Sequence, residues 1–264
     1  LFRSALAYDG SDTENDNIAI GYAAMTTNGA GAEQNIAIGN YALDAAIVGD
    51  NNVAIGHTAM GGALDAQENV IIGGAAGVGI TTGDYNTGIG YNVCNHVVGL
   101  TTGGQNTIIG SYAHTTAVDT QAANAFGHGI AGVAGYTTVG VDTNDIRAAH
   151  GNVTWATVSD ERVKKDITDS TAGLSVINDL RPRTFKYKNK GDIPEAFDAY
   201  EEGSTETYKN TFTNHGFIAQ EVKEVVDNHS ELKDGFKMWD IRENTGQQEV
   251  GEAAIIPILV KAIQ

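Results

Sequence analysis

The chain of 264 residues contains one cysteine, Cys94, which excludes a framework of intrachain disulfides and any zinc centre built on paired cysteines. No apolar run reaches the roughly 18 residues that a membrane-spanning helix needs. The opening Leu1-Phe2-Arg3-Ser4-Ala5-Leu6-Ala7 lacks the charged and apolar regions of a signal peptide, so neither membrane insertion nor classical export is expected. The first residue is not Met, which reads as a fragment or a processed product. Lysine and proline are missing from residues 1–158, which hold 26 of the 33 glycines and only two basic residues, Arg3 and Arg147, against 13 acidic ones. Residues 159–264 contain every lysine and all three prolines. Two differently composed segments therefore meet near Ser159. Their net charges, −11 and −6, sum to −17 and repel phosphate backbones, so nucleic acid is not expected as a partner.

The first segment is a repeat. Asn-x-x-Ile-Gly recurs at Asn17–Gly21, Asn35–Gly39, Asn52–Gly56, Asn69–Gly73, Asn86–Gly90 and Asn106–Gly110, with a shortened echo at Asn124–Gly127. The glycines are spaced by 18, 17, 17, 17, 20 and 17 residues. Each copy predicts a short strand entered through turn residues such as Gly49-Asp50-Asn51, Gly83-Asp84-Tyr85 and Gly103-Gly104-Gln105. Alternation sets Ile18 and Ile20 on the face opposite Asn17 and Ala19, so each coil is expected to bury one apolar stripe and to stack its Asn on its neighbours. This predicts a β-solenoid or β-roll rising about 4.8 Å per coil. A coil of small residues encloses little core, so partner chains are expected to complete it.

Other recurrences carry weaker readings. Threonine pairs at Thr26-Thr27, Thr81-Thr82, Thr101-Thr102, Thr115-Thr116 and Thr137-Thr138 would suggest an ice-binding ladder, but they fall in segments of variable length and read as turn and strand threonine. His57 and His128 follow a repeat glycine at the register of Tyr22 and Tyr91. Without a His-x-His or acidic partner they read as structural histidines, so no metal is expected. The calcium β-roll signature is absent despite Gly77-Val78-Gly79-Ile80, and no cofactor is expected. Outer-loop aspartates and tyrosines suit a glycan receptor and equally a solvated loop.

The Asn-x-Ala-Ile-Gly copies, over roughly residues 15–130, resemble the head repeats of trimeric autotransporter adhesins of the YadA type and related repeats of phage tail fibres. That resemblance implies three chains wound about one axis. Residues 133–158 read as a connector or stalk ending at Trp155 to Val158.

In the second segment, periodicity predicts a short helix bearing Leu174, Ile177 and Leu180, then a strand near Leu180–Tyr187. It also predicts a strand running into a helix through His215–Val222 and an apolar helix over Ala253–Gln264. The polar stretch 188–214 reads as an extended arm or a long loop. Ser159-Asp160-x-Arg162-x-Lys164, Leu180-x-Pro182-x-x-Phe185-x-Tyr187, Gly216-Phe-Ile-Ala-Gln-Glu-Val222 and Ile256-Pro-x-Leu-Val-Lys-Ala-Ile-Gln264 resemble the C-terminal intramolecular chaperone domain of phage endosialidases, tail fibres and neck appendages. The resemblance implies a domain that brings three fibre chains into register and is then released by autoproteolysis, usually followed by a coiled coil. It places the catalytic pair at Ser159 and Lys164.

Chemically, Ser159 would supply the nucleophilic hydroxyl and Lys164 a neutral amine as general base, which requires burial or repulsion from Arg162 or Lys165. Five residues advance a helix by about 500°, roughly 140° off the starting face, and an odd step puts strand side chains on opposite sides. The dyad therefore needs an irregular turn, or Lys164 from a neighbouring chain. The alternative is that Ser159-Asp160 is only a helix N-cap followed by the acidic first-turn Glu161. Either Val158–Ser159 or Ser159–Asp160 would be the scissile bond, and an N-to-O acyl shift favours the first.

Together these readings predict a mainly β chain with an α+β C-terminus. A trimeric β-solenoid shaft spans residues 1–132, a connector 133–158, and a chaperone, trimerisation and auto-cleavage domain 159–264. The expected function is that of a phage tail fibre or spike, a homotrimer attaching to a host receptor and joined through its upstream segment to other virion proteins, located in the virion tail. A bacterial trimeric surface adhesin would share the repeats but should end in the anchor strands of a β-barrel. A polysaccharide-degrading tailspike is the other alternative, its active site lying upstream, since no carboxylate pair stands out on the repeats. A trimeric membrane-bound transcription factor with this module would carry a basic DNA-binding segment, which the acidic first part excludes.

Overall fold

A computed structural model describes residues 16–27, 32–45, 48–95, 97, 99–152, 154–232 and 236–264. The opening Leu1–Ala7 stretch lies outside them. The chain divides into two compact units, Leu1–Val163 and Lys164–Gln264.

The first unit is a β-solenoid. Three-residue strands at Ile18–Ile20 (β1), Ile36–Ile38 (β2), Val53–Ile55 (β3), Val70–Ile72 (β4), Thr87–Ile89 (β5) and Thr107–Ile109 (β6) each pair in parallel with the strand one coil on. Two-residue strands His114–Thr115 (β7) and Ala131–Gly132 (β9) pair with each other, while Asn124–Phe126 (β8) continues the main stack. The strands are short because the chain turns on both sides of them. The residue before each ladder position, from Asp16 before Asn17 to Ala122 before Ala123, has φ of 51–65°, and the glycine after each strand has φ of 135–143°. A side chain at Gly39 or Gly56 would also collide with the carbonyl of the next coil's glycine, so close stacking and backbone conformation both demand glycine there.

The interior belongs to the small face of the strands. Ala37, Ala54, Ile71, Ile108 and Ala125 point inward with Asn35, Asn52, Asn69, Asn86 and Asn106, all buried, and pack on Met25, Leu43, Met60, Val93 and Leu100. Each Asn accepts at Oδ1 the backbone N–H of its counterpart one coil on, at 2.8–3.2 Å from Asn17 to Asn106. From Asn35 to Asn106, each Nδ2 donates to the carbonyl three positions before the next rung, at Gly49, Ala66, Gly83, Gly103 and Thr120. The polar ladder thus satisfies amides that the turns remove from the sheet. The Asn stack is present, but Ile18, Ile20, Val70 and Ile89 face outward and stay 37–49% exposed. Only the middle residue of each three-residue strand turns inward with the Asn, as Ala37, Ala54, Ile71, Ile108 and Ala125 do, so period two sends the flanking pair outward.

The seventh copy is complete rather than shortened. β6 pairs Thr107 with Asn124 and Ile108 with Ala125, so Ala123, not Asn124, occupies the ladder position and ends the ladder by donating its N–H to Asn106 Oδ1. Tyr136, one coil further, donates its N–H to Val133, so no side-chain acceptor is needed at Ala123. Tyr136–Val141 (β10) then pairs in parallel with β8, and its antiparallel partner Asn144–Ala149 (β11) forms the last strand of the nine-stranded sheet. Of the threonine pairs, Thr81-Thr82 and Thr101-Thr102 stack directly on the back wall, flanked in the neighbouring coils by Leu64 and Val118.

The second unit contains helix α1 (Leu174–Asp179), strands β12 (Arg183–Phe185) and β13 (Asn214–Gly216), helix α2 (Ala219–Asn228), strands β14 (Trp239–Ile241) and β15 (Gln248–Val250), and helix α3 (Ile256–Ile263). Its core gathers Ala172, Val176, Leu180, Val222, Val225, Leu232, Met238 and Ile258. Leu174 lies outside this core, whose α1 face is Ala172, Val176 and Leu180. The stretch 188–214 is a loop closed on itself. Lys190 N–H donates to Glu206, Tyr208 N–H donates to Lys188, and the Lys190 ammonium pairs with Glu206 at 2.6 Å.

Candidate functional site

The expected catalytic pair, Ser159 and Lys164, lies in the segment that follows β11. Thr157 Oγ1 donates to the Asp145 carbonyl and Ala156 bridges Arg147, so the approach to Ser159 runs along β11. Glu161–Val163 then form one turn of 3-10 helix. The capping contact of that turn is made by Asp160, whose carboxylate accepts the Arg162 N–H at 2.9 Å. The same carboxylate takes the Arg162 guanidinium in a two-point pair at 2.9 and 2.6 Å. These bonds hold the Asp160 carboxyl below the usual range and raise Arg162. Arg162 is thus engaged with Asp160, a pairing that spacing alone did not suggest.

Ser159 belongs to the first unit and Lys164 opens the second. Both are exposed, as is every described residue from His150 to Thr171. The large apolar side chains flanking Ser159 share this exposure: Trp155, Val158, Val163 and Ile167 are 53–70% accessible. Val158 and Val163 also line a cleft of about 1010 Å³ in the first unit, with Val139, Thr143, Asn144, Asp145, Ile146 and Thr157.

Within the second unit, two of the motifs meet. Arg183 of β12 forms a two-point ion pair with Glu221 of α2 at 3.0 and 2.6 Å, which lowers the Glu221 pKa and raises that of Arg183. His229, after α2, lies between Asp179 of α1 at 2.8 Å and Glu231 at 3.1 Å, and these carboxylates raise its pKa. The sequence offered no sign of this clamp, since Asp179 lies 50 positions away. On the solenoid, His57 meets the Tyr41 ring edge to face, and His128 meets Tyr112 and approaches Asp142 at 3.5 Å. Among the described residues no cluster of three or more His, Cys, Asp or Glu side chains is placed to hold a metal ion. No helix of the described residues is long and apolar enough to cross a membrane.

Residues 159–231 match the protein family described as Chaperone of endosialidase. The match begins at Ser159 and takes in α1, α2 and the β12–β13 pair. No curated protein and no solved structure matches the chain.

Proposed function

We propose that the chain is part of a phage tail fibre or tailspike, a homotrimer whose β-solenoid shaft contacts the host and whose C-terminal unit directs assembly and cleaves the chain at Ser159. The observation that carries this reading is the outward column of the solenoid. Ile18, Ile20, Ile36, Ile38, Val53 and Ile55 begin an uninterrupted array that runs on through Ile72, Ile89, Ile109, Phe126 and Val139. An array of this length on a single chain is an interface in want of partners, and each side chain would contribute about 1 kcal/mol on further burial. The family match at 159–231 supports the assembly role. A second apolar row agrees with it: Ile256, Leu259, Val260 and Ile263 lie on one face of α3 and are 39–86% exposed.

Chain association also supplies what the Ser159 motif needs. A neutral Lys164 amine requires desolvation, and the exposed apolar residues around Ser159 offer a surface that a neighbouring chain would cover. With Lys164 taking its proton, the Ser159 hydroxyl adds to the Val158 carbonyl and the Val158–Ser159 C–N bond breaks. Lys164 returns the proton to the nitrogen, which becomes the free α-amine of Ser159, and water hydrolyses the Val158–Ser159 ester to a new carboxylate at Val158 and the Ser159 hydroxyl.

Replacing Ile72 by Glu tests the carrying observation. The side chain faces outward, so the coil should still form while three-chain mass is lost in native mass spectrometry. A trimer unaffected by Ile72→Glu together with Ile38→Glu would overturn the reading. Mixed trimers of Ser159→Ala and Lys164→Ala chains should still cleave if Lys164 acts on a neighbouring chain, and should not cleave if each dyad lies within one chain.

A further inference from the structure

The corner after each strand carries a second column. A ring occupies it in six of the seven coils, as Tyr22, Tyr41, His57, Tyr91, Tyr112 and His128, with Gly74-Ala75 in the remaining coil. Successive rings meet edge to face, with centroids 5.4 Å apart for Tyr22–Tyr41 and Tyr91–Tyr112, 6.0 Å for Tyr41–His57 and 5.6 Å for Tyr112–His128. None belongs to the buried core, and Tyr22, Tyr41 and Tyr91 are 39–54% exposed. Polar groups stand beside the rings: the Asn40 side chain accepts the Tyr22 N–H, and Asn92 accepts from Asn95.

From this column we infer a binding site for an uncharged polysaccharide. Neighbouring rings alternate between the first and the second residue after the glycine, so rings at the same position recur every second coil, as Tyr22 and His57 and again as Tyr91 and His128. Two coils rise about 9.6 Å, close to the length of a disaccharide unit in an extended polysaccharide. Tyrosine offers a sugar an apolar face for stacking and a hydroxyl for hydrogen bonding at low entropic cost. The net charge of −11 over residues 1–158 disfavours sulfated, phosphorylated or sialylated polymers. This deepens the host-contact part of the proposed function by naming the residues and the ligand chemistry.

Affinity electrophoresis of the full chain through gels containing mixed-linkage β-glucan, mannan or dextran, with dextran sulfate as the charged comparison, tests the site. The variant joins Tyr22→Asn, Tyr41→Asn, Tyr91→Asn and Tyr112→Asn, because Tyr41 and Tyr112 have φ of 59°, which asparagine tolerates. Tyr85→Asn, at the exposed corner before the Asn ladder, is the control. At least one neutral polymer should retard the wild type, dextran sulfate should not, and the fourfold variant should lose about tenfold or more in affinity. Absence of retardation by every neutral polymer, or equal retardation of the fourfold variant, would overturn the inference. So would loss of native trimer mass in that variant, which would assign the rings to chain contact. A wild-type monomer that still binds would instead overturn the trimer and leave this site standing.

Discussion

Replacing Asn69 by Ala removes one rung of the buried polar ladder. Asn69 Oδ1 accepts the Asn86 N–H at 2.9 Å, and its Nδ2 donates to Gly83 O at 2.9 Å and Asn52 Oδ1 at 3.0 Å. Asn52 Oδ1 keeps the Asn69 N–H, but the Asn86 N–H and the Gly83 carbonyl lose their partners inside the coil. At about 1–3 kcal/mol for each stranded group the variant should be destabilised by about 4 kcal/mol. For a unit of this size that corresponds to a fall of roughly 8–16 °C in Tm. Circular dichroism melting reads the magnitude, and hydrogen exchange reads the place. Protection of the Asn86 amide should drop by about two orders of magnitude while that of Asn35 persists, since coils contact mainly their neighbours. Asn40→Ala, which removes only an exposed acceptor of the Tyr22 N–H, should move Tm little. A loss below about 2 °C in Asn69→Ala, with Asn86 still protected, would refute the view that the amide ladder fastens the coils.

Gly56→Ala should prevent the solenoid from forming in the affected coils, because φ is +138° and the new methyl would meet the Gly73 carbonyl; circular dichroism and limited proteolysis check it. His229 has a pKa raised above 6.5 by Asp179 and then Glu231, so its stabilisation of the second unit is complete below about pH 6.5 and is lost as pH rises through the folded value. Melting between pH 6 and 9 should show this fall, and His229→Gln should flatten it. Cys94 is buried, which pushes its thiol up to about 12, so a thiol reagent should modify it only after denaturant opens the coil. Rapid modification of the folded chain would contradict the packing around it.

The repeat length, the parallel stack and the glycine corners were legible because each Asn-x-x-Ile-Gly copy sets one coil. The inward face was harder to read: alternation separates Ile18 and Ile20 from Asn17 and Ala19 without saying which pair lies inside. The deciding feature is the Asn ladder: once each Asn turns inward to bond the next coil, period two carries the residue two places on inward with it and sends its neighbours out. The seventh copy misled because Asn124 looked like a ladder residue, whereas pairing with Thr107 assigns that place to Ala123. In the second unit the helix at 219–228 and its preceding strand were visible in periodicity and motif. Loop closure over 188–214 depends on pairs such as Lys190 and Glu206, 16 residues apart, which no local pattern marks. Ser159 and Lys164 were read from a motif, but the pairing of Arg162 with Asp160 and the exposure of the whole segment are properties of the fold.

Native and intact mass of the wild-type chain beside Ser159→Ala test the central claim most directly. The account predicts three-chain complexes in both. In the wild type alone, two fragments should sum to the 27.7 kDa chain plus one water, the first ending at Val158. A monomer, or an uncleaved chain in wild type and variant alike, would contradict it.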